Sequence, residues 1–117
     1  MKKKIQIKRI YDKDDKNDGT RILVDRIWPR GIKKENLKHD DWIKEIAPSA
    51  ELRQWFSHDP GKWEDFKKKY FEELKKKTYL CRDLLSKGKE NLTLLYSASD
   101  KQHNQAAALK EFLEKEF

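Results

Sequence analysis

Arg21-Ile22-Leu23-Val24-Asp25-Arg26-Ile27-Trp28-Pro29-Arg30-Gly31 is the stretch on which the fold turns. Three consecutive aliphatic residues stand between charges, the pattern of a short strand buried on both faces. Pro29 and Gly31 then block any regular continuation, so a loop carrying Asp25, Arg26, Trp28 and Arg30 follows the strand's carboxyl end. A second run of the same kind, Leu92-Thr93-Leu94-Leu95-Tyr96, is followed by Ser97, Ser99, Asp100, His103 and Asn104.

Outward from these two runs the periodicity changes. Ile5, Ile7, Ile10 and Tyr11 predict an opening strand with Gln6 and Lys8 on its other face. Asp12 to Thr20 contains no apolar residue and reads as a solvated loop, with Asn17-Asp18-Gly19 as a turn. Its oxygen-bearing residues do not fit a calcium loop, because alignment on Gly19 places Lys16 at a ligand position. Asp40 and Asp41 predict a short helix through Ile46, stopped before Pro48. Ser49 caps a helix with Leu52, Trp55 and Phe56 on a core face, and Asp59 with Pro60 opens a longer one. That longer helix carries Trp63, Phe66, Tyr70 and Leu74 at three- and four-residue steps. Leu80, Cys81, Leu84 and Leu85 continue or restart it up to Gly88, and Ala106 to Phe117 closes the chain as an amphipathic helix. The order predicts one layered α/β domain over residues 1–117, with a short, largely parallel sheet covered by helices. An antiparallel first pair and the order of the strands stay open.

Composition bounds the function. Lys and Arg number 28 against 21 Asp and Glu, a net charge of +7 on a chain in which 42% of residues are charged. Leu, Ile, Val and Phe supply 26 of the 117 residues, close to the level below which charged chains stay disordered, so the four Trp and four Tyr must carry much of the core. No apolar run approaches a membrane span, and residues 1–10 do not form a signal sequence. With a lone Cys81 that can form no internal disulfide, this predicts a cytoplasmic protein with no membrane partner. Cys81 itself reads as a buried structural thiol.

If the two apolar runs are parallel neighbours, the polar residues after them meet at one sheet edge, where α/β proteins bind ligands. Arg26 and Arg30 offer planar forks for a phosphate or carboxylate, and N–H groups near Asp100 to His103 offer further donors. Asp25 and His103 are candidates for acid or base chemistry there. Trp28 and Ser97 belong to the same edge.

The run from Arg21 to Gly31 resembles the signature of the bacterial YeaO-like family, grouped as a domain of unknown function. The resemblance extends through Tyr11, Asp18-Gly19, Trp42, Ala47-Pro48-Ser49, Leu52-Arg53, Trp55-Phe56 and His58 to Trp63, Phe66, Tyr70, Thr93, Tyr96, Asp100, His103, Asn104 and Ala106. It implies a compact α/β domain, repeats Asp25, Arg26, Arg30, Asp100, His103 and Asn104, and adds Arg53 and His58 to the candidate site.

The expected site is therefore a cleft for an anionic small molecule. Arg26, Trp28, Arg30, Arg53, Ser97 and Asn104 would contact the ligand, with Asp25, His58, Asp100 and His103 as acid or base. A nucleic-acid partner is the alternative, from Lys2–Lys4, Lys67–Lys69 and Lys75–Lys77, although glutamates interleave with the two helical lysine runs. A metal-binding module using His58, Asp100 or His103 is a third reading, and no dedicated metal site, cofactor or oligomeric state follows from the residues.

Overall fold

A computed structural model describes residues 4–88 and 90–117. Lys2 and Lys3 of the first basic run lie outside the described residues. Strands β1 (Lys4–Arg9), β2 (Thr20–Leu23), β3 (Asp41–Trp42) and β4 (Asn91–Tyr96) form one sheet in the order β1-β4-β2-β3, with every pair parallel. Helices α1 (Ala50–Phe56), α2 (Trp63–Lys75), α3 (Thr78–Lys87) and α4 (Gln105–Glu116) complete the chain with short 3-10 turns. The α/β expectation holds, and the parallel character is complete. β1 and β2 are not partners but flank β4, which removes the antiparallel alternative.

Side-chain alternation divides the core. Ile5, Ile22, Val24, Leu92, Leu94 and Tyr96 share one face of the sheet and pack with residues from all four helices, among them Leu52, Phe66, Tyr70, Leu84 and Leu109. Leu23 and Leu95 point to the other face and pack with Ile10 and Leu37, against Trp28, Ile32 and Trp42. The loop between β2 and β3 thus covers the half of that face next to β2, where a helix would ordinarily lie. Ile22, Leu23 and Val24 are all fully buried, as three adjacent apolar residues in a two-sided strand must be.

Three local expectations are corrected. Asp40 to Ile46 is not a helix. The Asp40 N–H donates to the Arg21 carbonyl at 2.7 Å and the Ile43 N–H to the Leu23 carbonyl at 3.0 Å, while the Asp40 carboxylate accepts the Arg21 N–H at 2.8 Å. The open edge of β2 thereby gains partners that an isolated helical turn would leave unmet, so Asp41–Trp42 becomes β3 and only Lys44–Ile46 turns as 3-10. Trp55, expected in the core, is 37% exposed and lies between the ammonium groups of Lys62 and Lys69, each 5.1 Å from its ring. Leu52 and Phe56 occupy the buried face of α1 instead. Asp59 and Pro60 open a 3-10 turn, Pro60–Lys62, that leads into α2, and α3 is a restart after the turn at Lys76 and Lys77.

The third correction is confined to Asp18, since the rest of Asp12 to Thr20 is exposed or half-exposed as expected of a solvated loop. Lys16–Asp18 forms a 3-10 turn, and Asp18 is only 2% exposed. Its carboxylate accepts from Lys8 Nζ at 3.0 Å, Gln6 Nε2 at 3.1 Å, the Asp15 N–H at 3.0 Å and the Arg21 guanidinium. Thr93 Oγ1 joins the cluster, accepting from Gln6 and donating to the Asp18 carbonyl. The polar faces of β1, β2 and β4 thus converge on one loop carboxylate, and Gly19 with φ 66° makes the turn that brings it there, where a Cβ would collide with the Asn91 carbonyl. Burial alone would raise the Asp18 pKa. Lys8, the Asp15 N–H and Arg21 together outweigh it and hold the carboxyl below its usual range.

Asp18→Asn should cost about 3–5 kcal/mol at neutral pH, the penalty of leaving buried cations without their partner. Folding lowers this pKa, so the carboxylate's contribution is complete above the unfolded value near 3.8 and is lost as pH falls through the folded value. Urea unfolding of both proteins should show a gap that narrows toward acid. A gap independent of pH would contradict the assignment.

Candidate functional site

Parallel pairing brings the carboxyl ends of β2 and β4 side by side, and the loops beyond them meet the start of α4 and the end of α1. The result is a cleft of about 730 Å³ lined by residues of all four segments. Asp25, Arg26, Arg53, His58, Ser97, His103 and Asn104 of the expected site line it. Trp28, Arg30 and Asp100 do not. Trp28 is held in the second core, its Nε1 donating to the Ile32 carbonyl at 2.6 Å and its ring edge-on to Trp42. Arg30 is exposed on the loop beyond Pro29, so the expected pairing of Arg26 with Arg30 does not form the site.

Asp25 anchors the cleft at the end of β2. One carboxylate oxygen accepts from the Ser97 hydroxyl at 2.6 Å and the Ser97 N–H at 3.1 Å, and the other accepts from Gln105 Nε2. These bonds tie the ends of β2 and β4 to the first turn of α4. Desolvation raises the Asp25 pKa above its usual value, although Ser97, Gln105 and the charge of Arg53 all favour the ionised form. Asp25 is therefore a buried acid held by neutral donors, in contrast to Asp18.

Arg26 and Arg53 are used differently. The Arg26 guanidinium donates to the Pro48 carbonyl at 2.9 Å and the Ala47 carbonyl at 3.0 Å, fastening the entrance of α1 to the β2 loop. Arg53, on α1, has a buried Nε with no hydrogen-bond partner, and its side chain makes no ion pair among the described residues. A buried polar atom left unpaired costs about 1–3 kcal/mol and calls for a missing partner. Beside it, Ser57 and His58 are consecutive non-glycine residues with φ 46° and 56°, a left-handed pair that closes α1 and sets His58 at the cleft wall.

The β4–α4 loop supplies the opposite wall. Asp100 accepts His103 Nδ1 at 2.9 Å, and its other oxygen accepts the N–H groups of Gln102 at 2.9 Å and His103 at 3.0 Å. These bonds hold the Asp100 carboxyl below its usual range, the Gln102 N–H being the leading cause. The imidazole meets the edge of Trp63 with ring centroids 5.3 Å apart. Asn104 caps α4 by accepting the Ala107 N–H at 2.8 Å and donates to the Asp100 carbonyl. The Gln102 and His103 N–H groups expected to face a ligand are thus spent within the loop itself. Asp100 holds His103 from outside the cleft, and no cluster of three or more His, Cys, Asp or Glu side chains suited to a metal ion occurs among the described residues.

With this geometry in view, residues 4–117 match the family described as "Inactive DUF488-N3 subclade". The chain belongs to this family. It is 46% identical to "Uncharacterized protein YeaO" of Escherichia coli (strain K12) over 110 residues, covering 93% of this chain and 96% of that protein. It is 36% identical to "Uncharacterized protein Rv3073c" of Mycobacterium tuberculosis (strain ATCC 25618 / H37Rv) over 110 residues, 94% of this chain and 93% of the relative. No solved structure matches it. Among the described residues, no helix is long and apolar enough to cross a membrane.

Gln105, Ile27 and the left-handed backbone of Ser57 and His58 are among the site features that sequence reasoning misses, although His58 itself is expected there. Gln105 follows the Asn104 cap and is visible in principle as the first helical residue facing the strand ends. Nothing in the sequence marks Ser57 as left-handed, because glycine and asparagine are the usual residues there.

Folding raises the Asp25 pKa, so stability present while the group is protonated is lost as pH rises through the folded value. Asp25→Asn keeps an oxygen for Ser97 and lets the Gln105 amide reverse. It should match or exceed the wild-type melting temperature at neutral pH, with any advantage shrinking in acid. Asp25→Ala strands the Ser97 and Gln105 donors and should cost about 1–3 kcal/mol. Thermal melts of the three proteins at two pH values decide it, and equal destabilisation by Asn and Ala would refute the account.

Proposed function

We propose that the cleft beyond β2 and β4 is a binding site for a small organic anion, with Arg53 as the residue that receives the anionic group. The carrying observation is the Nε of Arg53, buried and without a hydrogen-bond partner, on a side chain that lines the cleft. A phosphate or carboxylate supplies the acceptors such a group lacks. Arg26 supports the reading by shaping the wall, since its Nε and one terminal nitrogen are already bound to carbonyls.

Asp25, Ser97 and the buried Asn104 contribute polar groups to the lining, together with His58 and His103, the last oriented by Asp100. No reaction step is assigned to them. The word "inactive" in the family's description accords with a site that binds without turnover. Nucleic acid gains no comparable support: Lys67, Lys75, Lys87 and Lys110 each lie near a carboxylate, and Trp28 is packed against Trp42 instead of presented for stacking.

Titration with acetate and inorganic phosphate, followed by backbone amide shifts, should perturb the segments around Arg26, Ala47, Arg53 and Ser97. Arg53→Gln should weaken that binding by about tenfold or more, as loss of a charge-assisted hydrogen bond of ~1.5–3 kcal/mol requires. Unchanged affinity in the variant would exclude Arg53 as the receptor.

A further inference from the structure

The walls of the cleft are more specific than its charge. We infer that the ligand is an amphipathic organic acid, with one anionic head, a carboxylate or phosphate monoester, on an aromatic or branched apolar body. This rests on the anion-site reading above and adds the class of molecule.

Three observations carry it. The cavity of about 730 Å³ lies in the range in which proteins enclose organic molecules, about 300–1,000 Å³, and far exceeds what a bare tetrahedral ion fills. Its walls include Ile27, Ala47, Pro48, Phe56 and Phe66, and Phe56 stacks on Phe66 with ring centroids 4.3 Å apart. Ala47, Pro48, Phe56 and Phe66 are themselves nearly buried by the fold and leave little surface, so the apolar area that a hydrated inorganic anion would leave wet, and a ring or branched chain would cover, lies chiefly on Ile27. Ile27 is the third observation. It is 63% exposed, although it lies between the half-buried Arg26 and Trp28. An isoleucine that lines a cleft mouth and contributes little to either core is placed to close over an apolar ligand. Of the two cleft arginines, Arg26 is bound to carbonyls while Arg53 Nε has no hydrogen-bond partner, which sets the head at one anionic group.

The head enters toward Arg53 and the apolar body lies against Ile27, the exposed apolar residue of the lining. Asp25 opposes a second anionic group. Its buried carboxyl already accepts three hydrogen bonds from Ser97 and Gln105, so a ligand carrying a second anionic group at its far end would meet repulsion there.

The test is amide-shift titration of the whole chain with four probes: acetate, inorganic phosphate, benzoate and phenyl phosphate. Benzoate should bind about tenfold tighter than acetate, and phenyl phosphate about tenfold tighter than phosphate, from the apolar area removed from water. Ile27→Ser, an exposed change whose fold the same spectra verify, should erase much of that advantage and leave acetate and phosphate unaltered. Arg53→Gln should weaken all four. Arg53-dependent binding of the simple anions with no gain for the aromatic acids would overturn this inference and leave the anion site standing. Aromatic acids whose affinity ignores Ile27→Ser would also overturn it. If no probe perturbs the cleft, or if Arg53→Gln changes nothing, the anion site fails and the inference fails with it.

Discussion

Everything in this molecule is arranged around the hydrogen bonding of β4 on both its edges. Leu92 to Tyr96 is buried throughout, with β1 on one side and β2 on the other, and both pairings are parallel. A strand in that position has no edge exposed to water and must be apolar on both faces, which is why a chain so rich in charge concentrates its leucines there. Parallel pairing also decides where chemistry can lie. It turns the carboxyl ends of β2 and β4 the same way, so Asp25 and Ser97, distant in sequence, become hydrogen-bonded neighbours.

Two buried carboxylates show what that arrangement does with charge. Asp18 meets a lysine and an arginine from neighbouring strands and stays firmly ionised. Asp25 meets a hydroxyl, a backbone N–H and an amide, and its ionised form is held less well. The first arrangement locks the loop between β1 and β2 to the sheet. The second ties the ends of β2 and β4 to the first turn of α4 through neutral donors, against the cost of desolvating its charge. The two groups respond to pH in opposite directions for this reason.

The strands and helices were legible wherever a residue pattern is answered locally. Ile22-Leu23-Val24, the Phe66-Tyr70-Leu74 stripe and the Ser49 and Asn104 positions all declare themselves, and the convergence of two strand ends follows once the strands are taken as parallel. The misreadings of β3 and of Asp18 share one cause, partners distant in the chain. Asp41–Trp42 is a strand because β2 has an open edge, and Asp18 is buried because Lys8 and Arg21 point at the same place. No window of sequence contains those facts. The site was legible in the same measure: the residues next to strand ends were brought together, while Arg30 and Trp28, equally close in sequence, were carried away by the turn at Pro29.

The arginines make the same point about charge as a guide to function. Arg21, Arg26 and Arg53 all lie within the fold, and sequence gives no means of ranking them. Arg21 is committed to Asp18 and the Lys38 carbonyl, Arg26 to the carbonyls of Ala47 and Pro48. Each has exchanged its hydration for fixed acceptors, so an incoming anion would have to compete with bonds already made. Arg53 has lost hydration at Nε without such exchange. Among the three, it is at Arg53 that the folded chain bears this cost. Availability at Nε, more than the surplus of seven positive charges on the whole chain, is therefore what distinguishes Arg53 from the other two.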